Sequence, residues 1–185
     1  MIINVDELLQ MNLKDEVFVI ETDTVYGLGC LYNSKAGAER IMEIKKRSAS
    51  KNFCVLVSNL DQVNELATNA NDVMPLLTKY WPGAVTFIFK KSIKVGDFVT
   101  KLETVGLRMP DDSLTLKVID KFGPLIMTSL NNSGEPPVVK FNDTKAFESE
   151  VDFIVKGKDL NSLPSTIYDA DNKKVIRQGS VVIEN

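Results

Sequence analysis

Short apolar runs that alternate with amphipathic segments are the feature that most constrains the fold of this 185-residue chain. Runs rich in β-branched and aromatic residues, such as 17–20 and 53–57, are typical of strands buried on both faces. After Asn33 and Ser34, either of which can cap a helix, apolar residues recur at helical spacing as far as Ile44. The sequence therefore predicts a single α/β or α+β domain over residues 1–185, built on a twisted open sheet flanked by helices.

The remaining predicted elements follow one another closely along the chain. Further strands are predicted at residues 85–89, 104–109, 125–128, 151–155, 165–169 and 174–177, the last two as a hairpin that turns at Asp171 and Asn172. Further helices are predicted near residues 61–67, 72–80, 114–122 and 144–147.

Composition excludes several kinds of chemistry. The chain has no histidine, which rules out Ser-His-Asp and Cys-His catalysis and any His-ligated zinc or iron site. The two cysteines, Cys30 and Cys54, lie in apolar stretches and are expected to be small buried thiols. A balance of 22 basic against 25 acidic residues gives a net charge of −3, which argues against a protein that depends on nonspecific phosphate contacts.

The apolar runs are also too short for a membrane. The longest is about a quarter of the length that a membrane-spanning helix requires. The first sixteen residues are mostly polar and do not resemble an export signal. We therefore expect a cytoplasmic protein with no membrane association.

Three polar segments follow apolar strands and are candidates for a binding site. They are residues 22–29, the basic residues between 45 and 51, and residues 128–134. In open α/β sheets, ligands bind beyond the strand ends, so such loops are where a site is expected.

The basic segment has two interpretations. If the preceding helix ends near Lys45, the side chains of Lys45 and Arg47 can converge on one anion, with a point charge and a planar fork that suit phosphate oxygens. Alternatively, these residues form the solvated basic end of a helix, where cations are favoured by the helix dipole.

The other two loops are equally ambiguous. Gly27 and Gly29 do not complete a dinucleotide fingerprint, because Tyr32 occupies the third glycine position, and they are expected to allow tight turns beside Tyr26. The Tyr26 ring packs either on a ligand or on the core. The hydroxyls and amides of residues 128–137 suit a phosphate, a ribose or a carboxylate, or else form an ordinary turn.

Two arginines lie inside predicted strands. Arg108 interrupts an otherwise apolar strand, so it is expected to pair with a carboxylate that belongs either to the protein or to a ligand. Arg177, in the predicted hairpin, has the same two possibilities and a stronger claim to be a surface residue.

Together, these segments resemble the YrdC-type family of L-threonylcarbamoyladenylate synthases. Residues 22–29 (TDTVYGLG) are similar to the family's TETVYGLG strand and turn, and residues 43–47 (EIKKR) to its K-x-R segment. The other similar segments, in order, are 80–86 (YWPGAVT), 105–110 (VGLRMP), 129–134 (SLNNSG), 164–167 (PSTI) and 176–179 (IRQG).

The resemblance implies a YrdC-like twisted open mixed sheet and a nucleotidyltransferase reaction. L-threonine, bicarbonate and ATP, the last with Mg²⁺, would give threonylcarbamoyl-AMP and pyrophosphate for the threonylcarbamoyl (t6A) modification of a tRNA adenosine. The family pattern places Lys45 and Arg47 on the ATP phosphates as the catalytic cations. The other ATP-binding residues would be Lys51, Thr104, Ser129, Asn131 and Arg177, and the L-threonine site would be formed by Thr22, Tyr26, Arg108 and Ser165. The product would pass to a downstream tRNA threonylcarbamoyl transferase complex, with weak direct RNA contact at most.

Some positions depart from the family pattern, and other functions are compatible with the same fold. Ser48 and Glu21 stand where relatives have proline, Leu130 where they have alanine, Lys51 where many have asparagine, and Leu56 where many have histidine. The alternatives are a double-stranded RNA or tRNA-binding module, an adenylating enzyme that uses carbamoyl phosphate, and a relative that has lost activity.

Overall fold

A single mixed sheet organises the part of the chain that the computed structural model describes, which is residues 1–46, 52–132, 134–161 and 163–184. The strands in these ranges are β1 (Ile2–Ile3), β2 (Phe18–Ile20), β3 (Gly27–Leu31), β4 (Cys54–Leu56), β5 (Val85–Lys90), β6 (Thr104–Arg108), β7 (Leu125–Ser129), β8 (Phe153–Val155), β9 (Thr166–Asp169) and β10 (Lys174–Arg177). They form one ten-stranded sheet in the order β1-β8-β2-β3-β7-β4-β6-β5-β9-β10. Four of the pairs, β1/β8, β2/β8, β4/β6 and β5/β9, are parallel and the rest are antiparallel.

Helices flank this sheet, and the predicted mixed α/β architecture is confirmed. The helices are α1 (Val5–Gln10), α2 (Lys35–Ile44), α3 (Leu60–Leu66), α4 (Met74–Tyr80), α5 (Ser113–Phe122) and α6 (Phe141–Thr144), with 3₁₀ turns at Ala70–Val73 and Lys145–Phe147. Ser34 is the N-cap of α2, which confirms one of the two predicted alternatives. Its hydroxyl accepts a hydrogen bond from the Gly37 N–H at 2.9 Å. No helix within the described ranges is long and apolar enough to span a membrane.

The strand β1, the helix α1 and the strand β3 were not predicted. The strand β1 has two residues and the helix α1 has six, so neither produces a recognisable periodicity. α1 is fixed by a capping box, in which Asn4 and Glu7 exchange backbone and side-chain hydrogen bonds, and by the fully buried Leu8.

The prediction of a tight turn at Gly27 and Gly29 is wrong, because both residues lie within β3. A Cβ atom at Gly27 would lie 2.3 Å from the Met127 sulfur, and one at Gly29 would lie 2.8 Å from the Ile126 carbonyl oxygen. The close approach of the β7 backbone therefore requires glycine at position 29, whereas at Gly27 the contact is with the flexible Met127 side chain.

The strand side chains divide between two faces, which we call the first and the second face. In β2, Val19 packs into the cluster on the first face, with Ile41 of α2 and Leu77 of α4, while Phe18 and Ile20 pack on the second. The second face is covered by α1 and α5, through residues such as Val118 and Ile119 of α5.

The helices α1 and α5 cover only part of the second face. Across β4, β6 and β5, the second face carries Cys54, Gly106 and Thr86, which are small or polar side chains. A recess therefore remains on the second face, on the side of the sheet toward β10.

Candidate active site

A cavity of about 300 Å³ occupies this recess. Its wall brings together residues from both ends of the chain, including six of the predicted site residues: Thr22, Tyr26, Arg108, Ser129, Ser165 and Arg177. The volume falls at the lower end of the range for small-molecule sites, so the recess can enclose a small ligand or part of a larger one.

Arg108, the last residue of β6, provides the buried positive charge of the cavity. The residue is 6% exposed, and its Nη2 group forms an ion pair with the carboxylate of Asp23. Nη1 donates to the Thr24 hydroxyl at 3.0 Å and Nε to the Gly83 carbonyl at 3.2 Å. The expectation that Arg108 pairs with a carboxylate is confirmed, and the carboxylate seen here belongs to the protein.

The Thr22–Thr24 turn is ordered by a chain of hydroxyl hydrogen bonds. Thr22 donates to the Val25 carbonyl at 2.8 Å, so the 3.0 Å contact between the two threonine hydroxyls is donated by Thr24. Thr24 in turn accepts from Arg108. The hydroxyl proton of Thr22 is thus used within the turn, and Thr22 shapes the cavity wall by holding the turn in place.

Glu21 lies directly behind this turn and is only 6% exposed. Its carboxylate accepts a hydrogen bond from the Lys158 N–H at 2.7 Å, and its backbone carbonyl accepts one from the Thr115 hydroxyl at 2.6 Å. Burial raises the pKa of Glu21, the hydrogen bond from Lys158 opposes this, and the nearby Asp112 carboxylate raises it further. Because Thr115 lies in α5 and Lys158 follows β8, their hydrogen bonds attach the turn to that helix and to the segment after β8.

Tyr26 belongs mainly to the core. It is fully buried, its ring lies 6.4 Å from that of Phe141, and its hydroxyl donates to the Lys158 carbonyl at 2.8 Å. Burial, with the negative charge of Glu21, raises the pKa of the Tyr26 hydroxyl, so it stays protonated. Of the two predicted alternatives, packing on the core describes Tyr26 better, although part of the residue also borders the cavity.

A row of polar groups crosses the opposite wall of the cavity. The hydroxyls of Thr86 in β5 and Ser165, just before β9, are 2.8 Å apart, and both residues are buried. Arg177 of β10 donates from Nη2 to the Ser165 carbonyl at 2.7 Å. Arg177 is an exposed residue, as its surface interpretation predicts, yet its guanidinium reaches the cavity.

Lys45 does not line the cavity in this structure. The helix α2 ends at Ile44, and Lys45 is its C-cap, 2% exposed. The Lys45 ammonium donates to the Ser129 carbonyl at 2.8 Å and to the Asn131 carbonyl and side-chain oxygens at 2.6 and 2.5 Å. It therefore anchors the loop that follows β7, and the alternative of a solvated helix end is wrong for this residue.

The same loop holds Asn131. The side-chain oxygen of Asn131 also accepts from the Ser129 hydroxyl at 2.8 Å, and its amide donates to the carbonyls of Asn132 and Glu135 at 3.0 and 2.8 Å. Ser129 borders the cavity, whereas Asn131 is built into the loop beneath it.

Thr104, a further predicted ATP-binding residue, is not among the described residues that line the cavity. Thr104 begins β6, four residues before Arg108 and on the same face, which is a separation of roughly 13 Å along a strand. Its proposed role in nucleotide binding stays a prediction. Arg47 and Lys51, like Ser48 between them, lie outside the described residues, so their convergence with Lys45 also stays a prediction.

The two cysteines differ in their surroundings. Cys30 is buried as predicted, but Cys54 is only partly buried and lines the cavity. Burial raises the pKa of the Cys54 thiol to about 11, although the positive charge of Arg108 opposes the shift. The thiol is therefore protonated at neutral pH, which disfavours it as a nucleophile.

The cavity is suited to anions and hydroxyl groups. Its wall carries two guanidinium groups and several hydroxyls, and the residues that line it in the described ranges include no carboxylate. No group of three or more His, Cys, Asp or Glu side chains in the described ranges could hold a metal ion. The arrangement can thus bind a carboxylate or phosphate and position it.

A match to a family model identifies the family of this chain. The Sua5/YciO/YrdC model, whose description is "Telomere recombination", matches residues 10–179. The chain belongs to the Sua5/YciO/YrdC family.

Two relatives in the family are similar to this chain over most of their own length. A threonylcarbamoyl-AMP synthase of Pseudoalteromonas translucida is 30% identical over 171 residues, which cover 89% of this chain and 91% of that protein. The structure of Escherichia coli YciO is 27% identical with a TM-score of 0.84, and the match covers 95% of this chain and 89% of YciO.

One similar structure is of a longer protein. The P. abyssi Sua5, whose structure was determined in complex with L-threonine, is 26% identical with a TM-score of 0.90. The match covers 97% of this chain but 57% of Sua5, so the present chain spans little more than half the length of that relative.

Sequence reasoning about this Sua5/YciO/YrdC domain missed three residues of the site. Asp23 and Thr86 lie within segments that were recognised as family-like, and each could have been noticed as the polar partner of a buried cation or as the polar position of an alternating strand. Glu21 could have been noticed as a carboxylate placed directly after a buried strand, where it needs hydrogen-bond donors.

Proposed function

We propose that this protein is a threonylcarbamoyl-AMP synthase that converts L-threonine, bicarbonate and ATP into threonylcarbamoyl-AMP and pyrophosphate. The observation that carries this is the joint presence of the family-wide sequence match and the cavity, in which the residues expected to hold threonine lie together. The similarity to curated threonylcarbamoyl-AMP synthases at about 30% identity over about nine-tenths of the chain supports the same reaction.

Arg108 is the proposed anchor for the threonine carboxylate. Of its five N–H groups, three donate to Asp23, Thr24 and Gly83. One N–H on each of the two terminal nitrogens remains without a partner among the described residues. A planar fork of this kind binds a carboxylate through two parallel hydrogen bonds.

The nucleotide is proposed to lie toward the loop held by Lys45. Ser129 borders the cavity at this end, and the same loop contains Asn131, while Arg177 approaches from β10. Arg47, Lys51 and Thr104 are proposed to complete this side. ATP is larger than the cavity alone can enclose, so its phosphates would extend along this loop.

The chemistry proposed for this site is positioning and charge neutralisation. The amine of threonine combines with bicarbonate to give a carbamate, with formation of a C–N bond and loss of water, and the anionic oxygen of the carbamate attacks the α-phosphorus of ATP and displaces pyrophosphate. A carbamate is already ionised, so this second step requires no side-chain base, which agrees with a chain that has no histidine. Cations near the phosphates, with Lys45 and Arg47 as the proposed pair, offset the charge that develops.

The described residues do not form a metal site of their own, because the cavity wall carries no carboxylate. We propose that Mg²⁺ arrives with ATP, held by phosphate oxygens and water. We also propose a cytoplasmic location, delivery of the product to a tRNA threonylcarbamoyl transferase complex, and at most weak direct contact with RNA, since the net charge is −3.

Release of pyrophosphate tests the proposed function directly. Turnover is expected only when L-threonine, bicarbonate and ATP are all present, and reactions that omit one of them serve as matched controls. Release that instead requires carbamoyl phosphate would overturn the proposal in favour of another adenylating enzyme. RNA binding that weakens steeply with salt, without any pyrophosphate release, would indicate an RNA-binding module.

A further inference from the structure

Thr86 and Ser165 form a pair of buried hydroxyls on the cavity wall, with the Cys54 thiol in hydrogen-bonding contact with Thr86. Thr86 is 6% exposed and Ser165 is 7% exposed, and their oxygens are 2.8 Å apart. The β5 and β9 strands are parallel and in register at Val85 and Thr166, which fixes the relative position of the two side chains. Threonine is stiff about χ1, so the position of the Thr86 oxygen is fixed by the strand itself.

The pair has hydrogen-bonding capacity to spare. Two hydroxyls carry two protons, and their mutual hydrogen bond uses one of them. Arg177 lies 3.5 Å from the Ser165 oxygen, which is a long contact, and its shorter bond is to the Ser165 carbonyl. The protonated Cys54 thiol also hydrogen-bonds with Thr86 and can donate to it, which uses one lone pair and leaves one hydroxyl proton of the pair to face a ligand in the cavity.

The sheet register places this pair beside the proposed carboxylate anchor. β5 and β6 are antiparallel with Phe87 opposite Leu107, so Thr86 lies opposite Arg108. On the other side of Arg108, β4 places Leu56 next to it, and Leu56 also lines the cavity. An amino acid bound through its carboxylate to Arg108 would thus have hydroxyls on one side and an apolar wall on the other.

We propose that Thr86 is a positioning residue that orients the Ser165 hydroxyl, and that the pair recognises the side-chain hydroxyl of the amino-acid substrate. This inference rests on the proposed function and deepens it by naming what selects the substrate. A side chain with one hydroxyl and one methyl branch matches the two walls, whereas valine, which has the same shape, leaves the hydroxyl pair without its partner. Sites built to bind a hydroxyl reject such isosteres because buried polar groups would be left unpaired.

The test compares Thr86→Val, which removes only the hydroxyl, with Thr86→Ser, which keeps it. In Thr86→Val, the KM and the Kd for threonine should rise about tenfold, as expected for one lost hydrogen bond, while kcat and the KM for ATP change less than twofold. The preference for threonine over valine should fall by about the same factor. Thr86→Ser should restore both values, and Thr78→Val, an exposed threonine in α4, is the matched control that should leave both unchanged.

A second variant keeps the test decisive if Thr86→Val folds poorly. Ser165→Ala should cause the same loss of selectivity, and adding Thr86→Val to it should cause little further loss, because the two hydroxyls act as one unit. Additive effects of the two substitutions, or wild-type selectivity in folded Thr86→Val, would overturn the inference.

Binding measured by calorimetry separates this inference from the proposed function. Selective threonine binding that depends on Thr86, but without pyrophosphate release, would overturn the proposed function alone. Pyrophosphate release with a selectivity for threonine that does not depend on Thr86 would overturn the inference alone. A wild-type protein that binds no threonine would overturn both.

Discussion

Replacement of Lys45 by methionine tests the part of the site that the structure changes most from the sequence-based expectation. Methionine has nearly the same length and fills the same space, but it cannot donate to Ser129 and Asn131. Hydrogen bonds to a charged group contribute about 1.5 to 3 kcal/mol each, and the released acceptors regain water when the loop moves, so we expect a net loss of about 3 kcal/mol. For a chain of this size, such a loss lowers Tm by about 6 to 12 °C.

The functional consequence is measured separately from the loss of stability. If Lys45 both anchors the loop and offsets the charge of the ATP phosphates, Lys45→Met should lower the rate of pyrophosphate release by about two to three powers of ten. The Kd for threonine should change little, because the proposed threonine anchors, Arg108 and Ser165, lie on β6 and before β9. Lys46→Met is the matched control, since Lys46 is the next residue and is exposed.

Amide hydrogen exchange distinguishes the two roles. The Leu130 N–H donates to the Tyr26 carbonyl at 2.8 Å and the Val138 N–H to the Leu130 carbonyl at 2.8 Å, so both amides report on the loop. Faster exchange at these amides in Lys45→Met is expected. Unchanged exchange would refute the anchoring role, and unchanged turnover would refute the assignment of Lys45 to ATP.

Two further substitutions test the charges around the turn. Asp23→Asn should destabilise the protein by about 3 kcal/mol, because the Arg108 charge stays buried without its carboxylate. Added threonine should raise the Tm of this variant more than that of the wild type, because the threonine carboxylate replaces the missing one. An equal or smaller shift in Tm would contradict this. Burial raises the pKa of Glu21 above its ordinary value of 4.5, so the wild type loses stability as pH rises through the raised pKa. Glu21→Gln should therefore be more stable than the wild type at about pH 8 and no more stable near pH 4, and parallel curves of unfolding free energy against pH would refute this.

The strands that could be predicted are those whose own residues favour a buried strand. Residues 17–20 and 53–57 are continuous apolar runs, and both appear as strands of the sheet, within two residues at each end. β3 could not be predicted in this way, because Gly27 and Gly29 have low strand propensity, and the close approach of the β7 backbone to Gly29 is not visible in the sequence. The helix α1 is likewise stable only through its cap and the burial of Leu8 against the sheet.

The site was predicted best where a residue type is unusual for its surroundings. Arg108, a cation in an apolar strand, required a partner, and the structure supplies Asp23. For Lys45, the sequence could not show that its charge turns inward to three oxygens of a loop more than eighty residues away. Such contacts depend on the order of the strands, which spacing along the chain does not reveal.

The departures from the family pattern have unequal consequences for the site. Leu130 is fully buried in the core of the first face, with both its backbone groups bonded to neighbouring strands and loops, so this change concerns packing. Glu21 acts on the cavity through the Thr22–Thr24 turn that it supports. Leu56 is different, because it lines the cavity as the register neighbour of Arg108.

An apolar side chain at Leu56 changes what the threonine end of the cavity can offer a ligand. Leucine supplies no hydrogen bond, so polar recognition at this end must come from Arg108 and from the opposite wall, where Thr86 and Ser165 are the buried hydroxyls. A substrate that carried a second polar group toward Leu56 would lose its hydration without compensation, which costs about 1 to 3 kcal/mol. Leu56 therefore makes the cavity asymmetric around Arg108, and the proposed distinction between a methyl and a hydroxyl branch depends on this asymmetry.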